Sequence, residues 1–452
     1  MDKPRILFVS YHFSPSSEIG AKRPTETARY LSSHGYQVTV LRGLRAQDAG
    51  NDPLAADWPN ARFLTVSIPT KFLSGLLMKV RSRLSAAPQN SDSDVQNDEA
   101  SNSSNNIRQS GLLHWGEKQY IAWESLFMGD KWWALRCVLR LITHILVKRN
   151  KFDLVITSGP PTAVYLVAWI ASRFSSAPYC MDMRDPWNFP GEGLRTATSS
   201  GHWTAKVESY WGRKIIGNAH LLTVAAPGIG RIIEARYGGR EEPPIVILNG
   251  YDGDPACDGG SPVGTLRLLY AGTLYPARNP LPLFAAIEEL VTRPEVERSK
   301  VKLLMVGDCS VWNGIALDQW VKDKNLGDVI EFLPQVSREK LVTLTSNSNL
   351  LVNFSEGQID QIPGKSFEYI AANRELLIFA ETESDTAKLH AQHKVGIIVQ
   401  SHRPTDILDQ LAAQYRRSVV EMIPYSRDIN ITKKYDRQTQ LRAFEALIAG
   451  AI

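Results

Sequence analysis

The stretch NLLVNFSEGQIDQIPGKSFEYIAANRELLIFA, residues 349–380, indicates most clearly how this chain is expected to fold. It opens with an apolar run that ends at Phe354, and it closes with a second apolar run, ELLIFA. Short apolar runs between polar residues are typical of buried strands. The segment KSFEYIAA between them is predicted to be a helix. A strand, a loop, a helix and a second strand in succession form a βαβ unit, which builds a parallel sheet.

The same alternation extends from this unit through the rest of the chain. In the second half, further strands are predicted at LRLLYAG, VKLLMVG, VIEFLP and VGIIVQ, and helices at PLPLFAAIEELV, REKLVTLTSN, TAKLHAQH and DILDQLAAQYRR. In the first half, strands are predicted at RILFVS, QVTVL, DLVITS, APYCMDM, HLLTVA and IVIL, and helices at TETARYLSSHG, PTAVYLVAWIASRF and HWTAKVESYWGRKIIG. The chain therefore consists of two α/β blocks of similar design.

A segment rich in Gly, Pro and Asp, NGYDGDPACDGGSPVG, separates the two blocks and is typical of a linker. We predict an α/β protein with two Rossmann-like doubly wound domains that face a cleft. The predicted parts are an N-terminal domain, a linker, a C-terminal domain and a closing helical region, at residues 1–252, 253–264, 265–427 and 428–452.

The composition of the 452-residue chain excludes several other classes of protein. With 43% hydrophobic and 22% charged residues, the chain as a whole is not disordered. Its 4 cysteines include no C-x-x-C pair of the kind found in zinc ribbons, and their scatter favours a reducing, cytoplasmic location. The 51 Lys and Arg against 47 Asp and Glu leave a net charge of +4, which is too small to favour nucleic acid as a partner.

Two segments bear on membrane contact. Residues 132–147 form the most apolar stretch, but it contains two arginines and is shorter than the ~20 residues that a membrane span needs. Residues 71–119 are an insert that begins with KFLSGLLMKVRSRL, a candidate basic amphipathic helix for an anionic membrane surface. Alternatively, its apolar face packs on the first domain. Within the insert, residues 86–110 are predicted to be disordered because they hold almost no large apolar side chains.

The helix that begins after Pro363 is a candidate phosphate site. The free N–H groups and the dipole at a helix N-terminus favour anions. Lys365 adds positive charge there, and Glu368 lies one turn further on, where it could accept hydrogen bonds from vicinal hydroxyls. Asp360 lies on the loop before the helix. Together these residues could bind a sugar phosphate, and the alternative is a capped helix with a cluster of surface charges.

A second loop of the same block, YAGTLYPARNP at residues 270–280, also follows a predicted strand. Doubly wound folds bind ligands at the carboxyl ends of their strands. The guanidinium of Arg278 could pair with phosphate oxygens in this position. The alternative is that Arg278 is solvated, as a lone arginine in a loop usually is.

Two loops of the first block hold further candidates. The loop of residues 10–23 contains His12 and Gly20, just before a predicted helix, and is either a substrate loop or an ordinary turn. The segment MDMRDPW contains polar residues that either face a ligand or form a structural ion pair: Asp182, Arg184 and Asp185.

Neither a nicotinamide site nor a metal site is predicted. The first loop of neither block reads G-x-G-x-x-G, the pattern of dinucleotide-binding folds. The acid-x-acid triplets that begin at Asp92 and Asp252 follow no predicted strand. His390 and His393, three residues apart on a predicted helix, are interpreted as surface histidines.

Taken together, these motifs resemble the GT-B glycosyltransferases, in particular family 4, which are retaining enzymes that build bacterial polysaccharides and glycoconjugates. The resemblance runs over nearly the whole chain and is most specific at IPGKSFEYIAANRELL. There Asp360 and Glu368 stand in the places of the family's signature of an acid, seven residues and a Glu, with Asp360 replacing the first Glu. The resemblance implies that Glu368 binds the nucleotide ribose and that Asp360 contacts the donor sugar.

The resemblance also implies roles for other residues. Catalytic roles fall to Asp360, Arg278 and Lys365. Donor binding falls to Glu368, Gly272, Thr273, Gly364, Ser366 and Ile362. The acceptor side is lined by His12, Gly20, Ser158, Arg184 and Asp185. The chain departs from the family pattern in two places, because Thr273 stands where many members carry an Arg and Ser158 where many carry a His.

The function implied is that of a metal-independent, retaining glycosyltransferase in polysaccharide biosynthesis. It would move a sugar from a UDP- or GDP-linked donor to a hydroxyl of a glycan or a lipid-linked glycan, with no further cofactor. The acceptor would bind the N-terminal domain, the donor the C-terminal domain, and residues 428–452 would cross back to the first. Peripheral contact with the inner face of the membrane fits this function. The alternatives are a nucleotide-sugar 2-epimerase, a catalytically silent partner in a glycan assembly complex and, third, a nicotinamide oxidoreductase.

Overall fold

The computed structural model describes residues 3–16, 19–44, 58, 60–67, 131–144, 151–185, 202–238, 240–253 and 260–451. The insert predicted at residues 71–119, with its amphipathic and disordered segments, lies outside the described residues. The chain forms two compact units. Unit 1 contains Met1–Thr223, Ile233–Ile245 and Glu445–Ile452, and unit 2 contains Val224–Ile232 and Val246–Phe444.

Among the described residues, the first half of the chain builds one sheet whose strands are β1 (Arg5–Ser10), β2 (Gln37–Leu44), β3 (Ala61–Ser67), β4 (Leu154–Gly159), β5 (Tyr179–Met183), β6 (Leu221–Val224) and β7 (Ile245–Val246). These seven strands lie in the order β3-β2-β1-β4-β5-β6-β7. The accompanying helices are α1 (Ile19–Ser33), α2 (Lys131–Ile142), α3 (Ala163–Ser175), α4 (His202–Gly217) and α5 (Pro227–Tyr237). The pairings from β3 to β5 are all parallel.

In the described part of the second half, one sheet consists of β8 (Leu266–Ala271), β9 (Val301–Val306), β12 (Ile330–Leu333), β13 (Leu350–Phe354), β14 (Glu375–Phe379) and β15 (Ile397–Val399), and a separate antiparallel hairpin is formed by β10 (Val311–Trp312) and β11 (Ile315–Ala316). The six strands of the sheet lie in the order β12-β9-β8-β13-β14-β15, and every pairing is parallel. The helices are α6 (Leu281–Leu290), α7 (Leu317–Asp323), α8 (Arg338–Ser346), α9 (Gly364–Ala371), α10 (Asp385–His393), α11 (Pro404–Tyr415) and α12 (Arg437–Gly450).

The central strands are buried along their length rather than at alternate residues. In β1 only Arg5 is exposed, and all five residues of β13 are buried. Strands of this kind have both faces covered, as parallel sheets flanked by helices do. The predicted α/β fold with two doubly wound parallel sheets is confirmed.

Both sheets change the direction of their strand order at a single point. In the first sheet this point lies between β1 and β4, and in the second it lies between β8 and β13. At such a point the loops from neighbouring strands diverge and leave a crevice at the carboxyl ends, where doubly wound proteins bind ligands. The fold therefore assigns one candidate ligand position to each sheet.

Several elements differ from the sequence-based prediction. β3, α5, α7 and the β10–β11 hairpin were not predicted. Two glycines, Gly228 and Gly230, weaken the helical signal of α5. α1 begins at Ile19, so Gly20 lies in its first turn and the predicted loop of residues 10–23 is shorter than expected.

No helix among the described residues is both long enough and apolar enough to cross a membrane. α2, which falls in the most apolar stretch of the sequence, packs Trp133, Cys137 and Leu141 into unit 1. Its opposite side exposes Leu135 and Leu139.

Candidate active site

The candidate site of unit 2 lies at the point where the strand order reverses, between β8 and β13. The loop of residues 272–280 leaves the carboxyl end of β8, and the loop of residues 355–363 leaves β13 and leads into α9. Because β8 and β13 are parallel neighbours, both loops emerge at the same edge of the sheet. Arg278 was predicted from one motif and Asp360 and Lys365 from another, and all three lie on these two loops or directly after them.

The ammonium group of Lys365 is held against the end of β8. Its Nζ donates a hydrogen bond to the carbonyl of Ala271 at 2.8 Å and lies 4.2 Å from the centroid of the Tyr270 ring. The residue keeps some exposed surface, but its charged end points inward to these partners. Burial, together with the positive charge of Arg278, lowers the pKa of Lys365 to about 7. A bound anion would favour the charged form and so raise this pKa.

Arg278 is packed into the same site and only 8% exposed. Its Nη1 donates to the carbonyl of Thr273 at 3.0 Å, and its guanidinium carbon lies 4.6 Å from the centroid of the Tyr275 ring. Its Nη2 lies 3.5 Å from Oε1 of Gln358, and its Nε has no hydrogen-bond partner among the described residues. The alternative of a solvated loop arginine is therefore wrong, and Arg278 keeps donor capacity for an anion.

The start of α9 is open toward the loops. Pro363 occupies the N-cap and provides no side-chain cap, and the space around Gly364 is empty where a Cβ would be. Ser366 is fully buried and its Oγ accepts a hydrogen bond from Nδ2 of Asn353 at 2.9 Å, while Ile362 is only 7% exposed. The side chains of Ser366 and Ile362 are therefore packed inside the protein, and the backbone near Gly364 faces solvent.

The two acids of the predicted signature occupy different surroundings. Glu368 is exposed and lies three residues after Lys365, on the same side of α9. Asp360 is partly exposed, and its Oδ1 accepts a hydrogen bond from Nη2 of Arg231 at 3.2 Å. Arg231 belongs to α5, far from Asp360 in sequence.

The backbone at the end of β8 leaves no room for a side chain. Gly272 has φ +149°, and a Cβ there would overlap Nζ of Lys365. A Cβ at Gly307, whose φ is +113°, would lie 2.7 Å from the carbonyl oxygen of Gly272. The neighbouring Thr273 accepts hydrogen bonds at its carbonyl from Arg278 and from the hydroxyl of Tyr270. Gly272 and Thr273 therefore shape the pocket for Lys365 and Arg278 through their backbone.

In unit 1, a buried polar network centres on Asp182 at the end of β5. Its carboxylate accepts hydrogen bonds from Nε and Nη2 of Arg23 at 3.0 and 2.6 Å, from Oγ of Ser158 at 2.8 Å and from Oγ1 of Thr223 at 2.9 Å. Burial alone would raise the pKa of Asp182, but Arg23 and the two hydroxyl donors lower it below its usual range. The hydroxyl of Ser158 is thus engaged inside the domain.

Arg184 ties together the loops at the carboxyl edge of the first sheet. It donates through Nε to the carbonyl of Gly159 at 2.7 Å and through Nη1 to the carbonyl of Gly20. Pro24 lies inside α1 and has no N–H to offer the carbonyl four residues earlier, which is that of Gly20. Arg184 supplies the missing donor. Its position is therefore explained by the fold of α1.

The remaining acceptor-side candidates lie at the same edge. A Cβ at Gly20 would lie 3.5 Å from Nη1 of Arg184 and 3.6 Å from Cγ of His12, so these three residues are close together. Asp185 is exposed and lies two residues after β5. The last two residues of MDMRDPW lie outside the described residues.

The interpretation of His390 as a surface residue is wrong. It is 1% exposed, its Nδ1 lies 3.2 Å from the carbonyl of Val395, and burial lowers its pKa to about 4. His393 is bonded through Nε2 to the hydroxyl of Tyr435. In the part of the chain that the structure describes, no three His, Cys, Asp or Glu side chains form a group that could hold a metal ion.

Four residues of these clusters were not predicted from the sequence: Arg23, Thr223, Arg231 and Asp385. Asp385 follows Ser384, which caps α10, and this pattern is a recognisable helix start. Arg231 carries no such signal, because its partner Asp385 is 154 residues away.

No protein-family model matches this sequence, and no curated protein matches it either. Solved structures do match its fold. Sucrose-phosphate synthase from Thermosynechococcus elongatus is 14% identical, each chain is covered to 99%, and the TM-score is 0.62. A glycosyltransferase from Rickettsia africae is 13% identical over 100% of this chain and 99% of its own, with a TM-score of 0.57. HepE from Anabaena, solved in complex with UDP and glucose, is 12% identical over 99% and 100%, with a TM-score of 0.56. The chain therefore has the GT-B fold of these glycosyltransferases.

Proposed function

We propose that this chain is a metal-independent, retaining glycosyltransferase of polysaccharide biosynthesis. It moves a sugar from a nucleoside-diphosphate donor to a hydroxyl of a glycan or a lipid-linked glycan. The observation that carries the proposal is the pair of cations, Lys365 and Arg278, beside the uncapped start of α9. Two fixed positive charges and a helix N-terminus suit a diphosphate, which carries its negative charge over two phosphate groups.

The same residues account for the chemical step. The bond between the anomeric carbon and the diphosphate oxygen breaks, and its electron pair leaves with the diphosphate. The acceptor hydroxyl forms the new bond to the anomeric carbon and gives its proton to the departing diphosphate. Lys365 and Arg278 stabilise the charge that builds up on the leaving group, and their fixed positions lower the cost of reorganisation. Glu368 binds the ribose and Asp360 the donor sugar, as the resemblance implies.

The donor is the substrate, and the proposal includes no separate cofactor. A UDP-linked sugar is the first candidate, since HepE and a trehalose-6-phosphate enzyme from E. coli were solved with UDP, UDP-glucose or UDP-2-fluoro glucose bound. The acceptor is proposed to bind at the edge of the first sheet formed by His12, Gly20 and Arg184, since this is that sheet's own switch point.

We further propose that the protein works in the cytoplasm at the membrane surface, where a lipid-linked acceptor would lie. The described cysteines, Cys137, Cys180 and Cys309, are free thiols, as expected in a reducing compartment. On α2, the exposed Leu135 and Leu139 alternate with the exposed Arg136 and Arg140, a pattern suited to an anionic lipid surface.

Turnover of nucleotide sugars tests the proposed activity. UDP-, GDP- and ADP-linked sugars are incubated with the full chain and a membrane lipid extract, with and without EDTA. The products are separated by chromatography, and the configuration of the sugar in each product is determined by proton NMR. The proposal predicts a glycosylated acceptor and free nucleoside diphosphate, both unaffected by EDTA, with the anomeric configuration of the donor retained. An epimerised nucleotide sugar without acceptor glycosylation would identify an isomerase instead. Absence of turnover and of nucleotide binding would favour a silent partner.

A further inference from the structure

Arg231, on the second turn of α5, is joined to two carboxylates of the candidate site. Its Nη2 donates to Oδ1 of Asp385 at 2.7 Å and to Oδ1 of Asp360 at 3.2 Å. The two acids come from different segments, since Asp360 lies on the loop after β13 and Asp385 opens α10. One guanidinium nitrogen therefore links α5 and the first turn of α10 to the loop that carries the predicted sugar-binding acid.

Asp385 forms the rigid end of this linkage. Its side chain is 2% exposed, and its Oδ2 accepts the N–H of Gly228 at the start of α5. Its own N–H donates to the carbonyl of Ile359 at 2.8 Å, directly before Asp360. A carboxylate buried to this degree needs a cation, and removal of that cation leaves an uncompensated charge.

Asp360 forms the other end, and one of its two carboxylate oxygens is hydrogen-bonded within the described residues. Within the described residues, Arg231 is the one partner of its carboxylate, and Oδ2 has none. The backbone of α5 also touches this residue, because a Cβ at Gly228 would overlap both the backbone and the side chain of Asp360. The first oxygen is thus fixed by Arg231, and the second is available to a hydroxyl.

We propose that Arg231 is a positioning residue that orients the carboxylate of Asp360 toward the donor sugar. The inference rests on the proposed function, because it assigns Arg231 to the sugar part of the donor site. Arg231 acts through Asp360 and makes no contribution of its own to the diphosphate, which Lys365 and Arg278 bind. Loss of Arg231 therefore impairs recognition of the sugar and leaves binding of the free nucleoside diphosphate intact.

Four single variants and one double variant test this assignment. Arg231→Met removes the cation and keeps the length of the side chain, and Arg231→Lys keeps the charge. Arg298→Met is the matched control, because Arg298 also pairs with a carboxylate, Asp328 at 2.6 Å. Arg298 lies before β9, at the amino ends of the strands, whereas the candidate site lies at their carboxyl ends. Asp360→Asn alone, and combined with Arg231→Met, shows whether Arg231 acts through Asp360.

The measurements are kcat and KM for UDP-glucose, or for the other nucleotide sugar that the wild type turns over, and the calorimetric Kd for the matching nucleoside diphosphate, UDP in the first case. The proposal predicts a fall of about tenfold or more in kcat/KM for Arg231→Met, the size expected for one charge-assisted hydrogen bond. The Kd should change less than about twofold, Arg231→Lys should recover part of the loss, and Arg298→Met should behave as wild type. In the Asp360→Asn background, Arg231→Met should have no further effect.

Two results would overturn the assignment. Wild-type kcat/KM in Arg231→Met would show that Arg231 does not position Asp360. A loss of nucleoside diphosphate affinity as large as the loss of kcat/KM would show a general structural role. So would losses of kcat/KM that add up in the double variant. If Arg231→Met does not fold, Asp385→Asn removes the second anchor of Arg231, and the same comparison of kcat/KM with Kd applies. Failure of the proposed function is distinguishable, because the wild type itself would then turn over no nucleotide sugar.

Discussion

At the scale of single residues, two opposing effects act on the charge of the Lys365 ammonium. Its ammonium is buried beside another cation, which lowers its pKa to about 7, and yet its proposed ligand is an anion that needs the charged form. The hydrogen bond to Ala271 and the face of the Tyr270 ring offset part of this cost. A bound diphosphate would offset the rest by raising the pKa of the ammonium.

This predicts that nucleoside diphosphate binding takes up a proton. At about pH 8 Lys365 is mostly neutral in the free protein and charged in the complex, so the complex holds more protons and affinity falls as pH rises above about 7. Calorimetry in buffers of different ionisation enthalpy measures the uptake. Lys365→Arg is the matched control, since its guanidinium stays charged and should bind without uptake. A wild type that takes up no proton would show that Lys365 is not at the diphosphate.

At this scale the sequence predicts the residues that follow strands but not their partners. Lys365 could be recognised because it lies at a predicted helix start. Arg278 could be recognised because it lies in a loop that follows a predicted strand. The pairing of Arg231 with Asp385 could not be recognised, because tertiary packing joins them across 154 residues. Burial of His390 was missed because it is set by neighbouring elements rather than by the spacing of histidines.

At the scale of elements, the loop after β8 depends on Gly272. Any side chain there meets Nζ of Lys365, and the backbone angle of +149° is one that L-residues rarely adopt. The close approach of β8, its loop and α9 therefore requires glycine at this position. A side chain at residue 272 would displace the ammonium of Lys365 and would therefore disturb the candidate site.

We predict that Gly272→Ala weakens nucleoside diphosphate binding by about tenfold or more and lowers the free energy of unfolding by about 1–2 kcal/mol. Calorimetry and thermal unfolding measure the two effects. Gly327→Ala is the matched control, because a Cβ there meets nothing within 4 Å, and it should leave both quantities unchanged. Wild-type affinity in Gly272→Ala would contradict the position assigned to Lys365.

The exposed side of α2 provides a second prediction at this scale. The double variant Leu135→Gln, Leu139→Gln should reduce co-sedimentation with vesicles that contain phosphatidylglycerol, because it removes the apolar part of the surface. Val342→Gln, at a residue that is 39% exposed on α8, should bind vesicles as the wild type does. A deletion of residues 71–110 separates the contribution of the insert. Equal vesicle binding by the wild type and the α2 variant would remove α2 from the membrane contact.

The elements themselves were predictable where their pattern was strong. Buried strands such as β1 and β13 are continuous apolar runs, and most helices between them were also predicted. β3 was missed because it mixes polar with apolar residues, and Val66 is its one buried residue. α7 spans seven residues, too few for a clear helical period.

At the scale of the whole molecule, the two sheets share one design. Each reverses its strand order after its first strand, and each places polar side chains in the loops at that point. In unit 2, the cations Lys365 and Arg278 lie in those loops or directly after them. In unit 1, the ion pair of Arg23 and Asp182 is buried beneath the loops. The predicted fold class followed from the alternation of strands and helices. The cation site followed from the positions of Lys365 at a helix start and of Arg278 in a loop after a strand, and the resemblance implied their roles.

Unit 2 is proposed to bind a nucleoside diphosphate with Lys365, Arg278 and Glu368, without a metal ion. Thermal unfolding with UDP, GDP, CMP, ADP and NAD, first without added metal and then with EDTA, is the decisive measurement. One nucleoside diphosphate should raise the Tm in both conditions, since a ligand at 100 times its Kd adds about 2.7 kcal/mol of stability. Glu368→Ala should lose this rise, and Glu339→Ala, at an exposed position on α8, should keep it. A rise with NAD alone, a rise abolished by EDTA, or no rise with any nucleotide would contradict the claim.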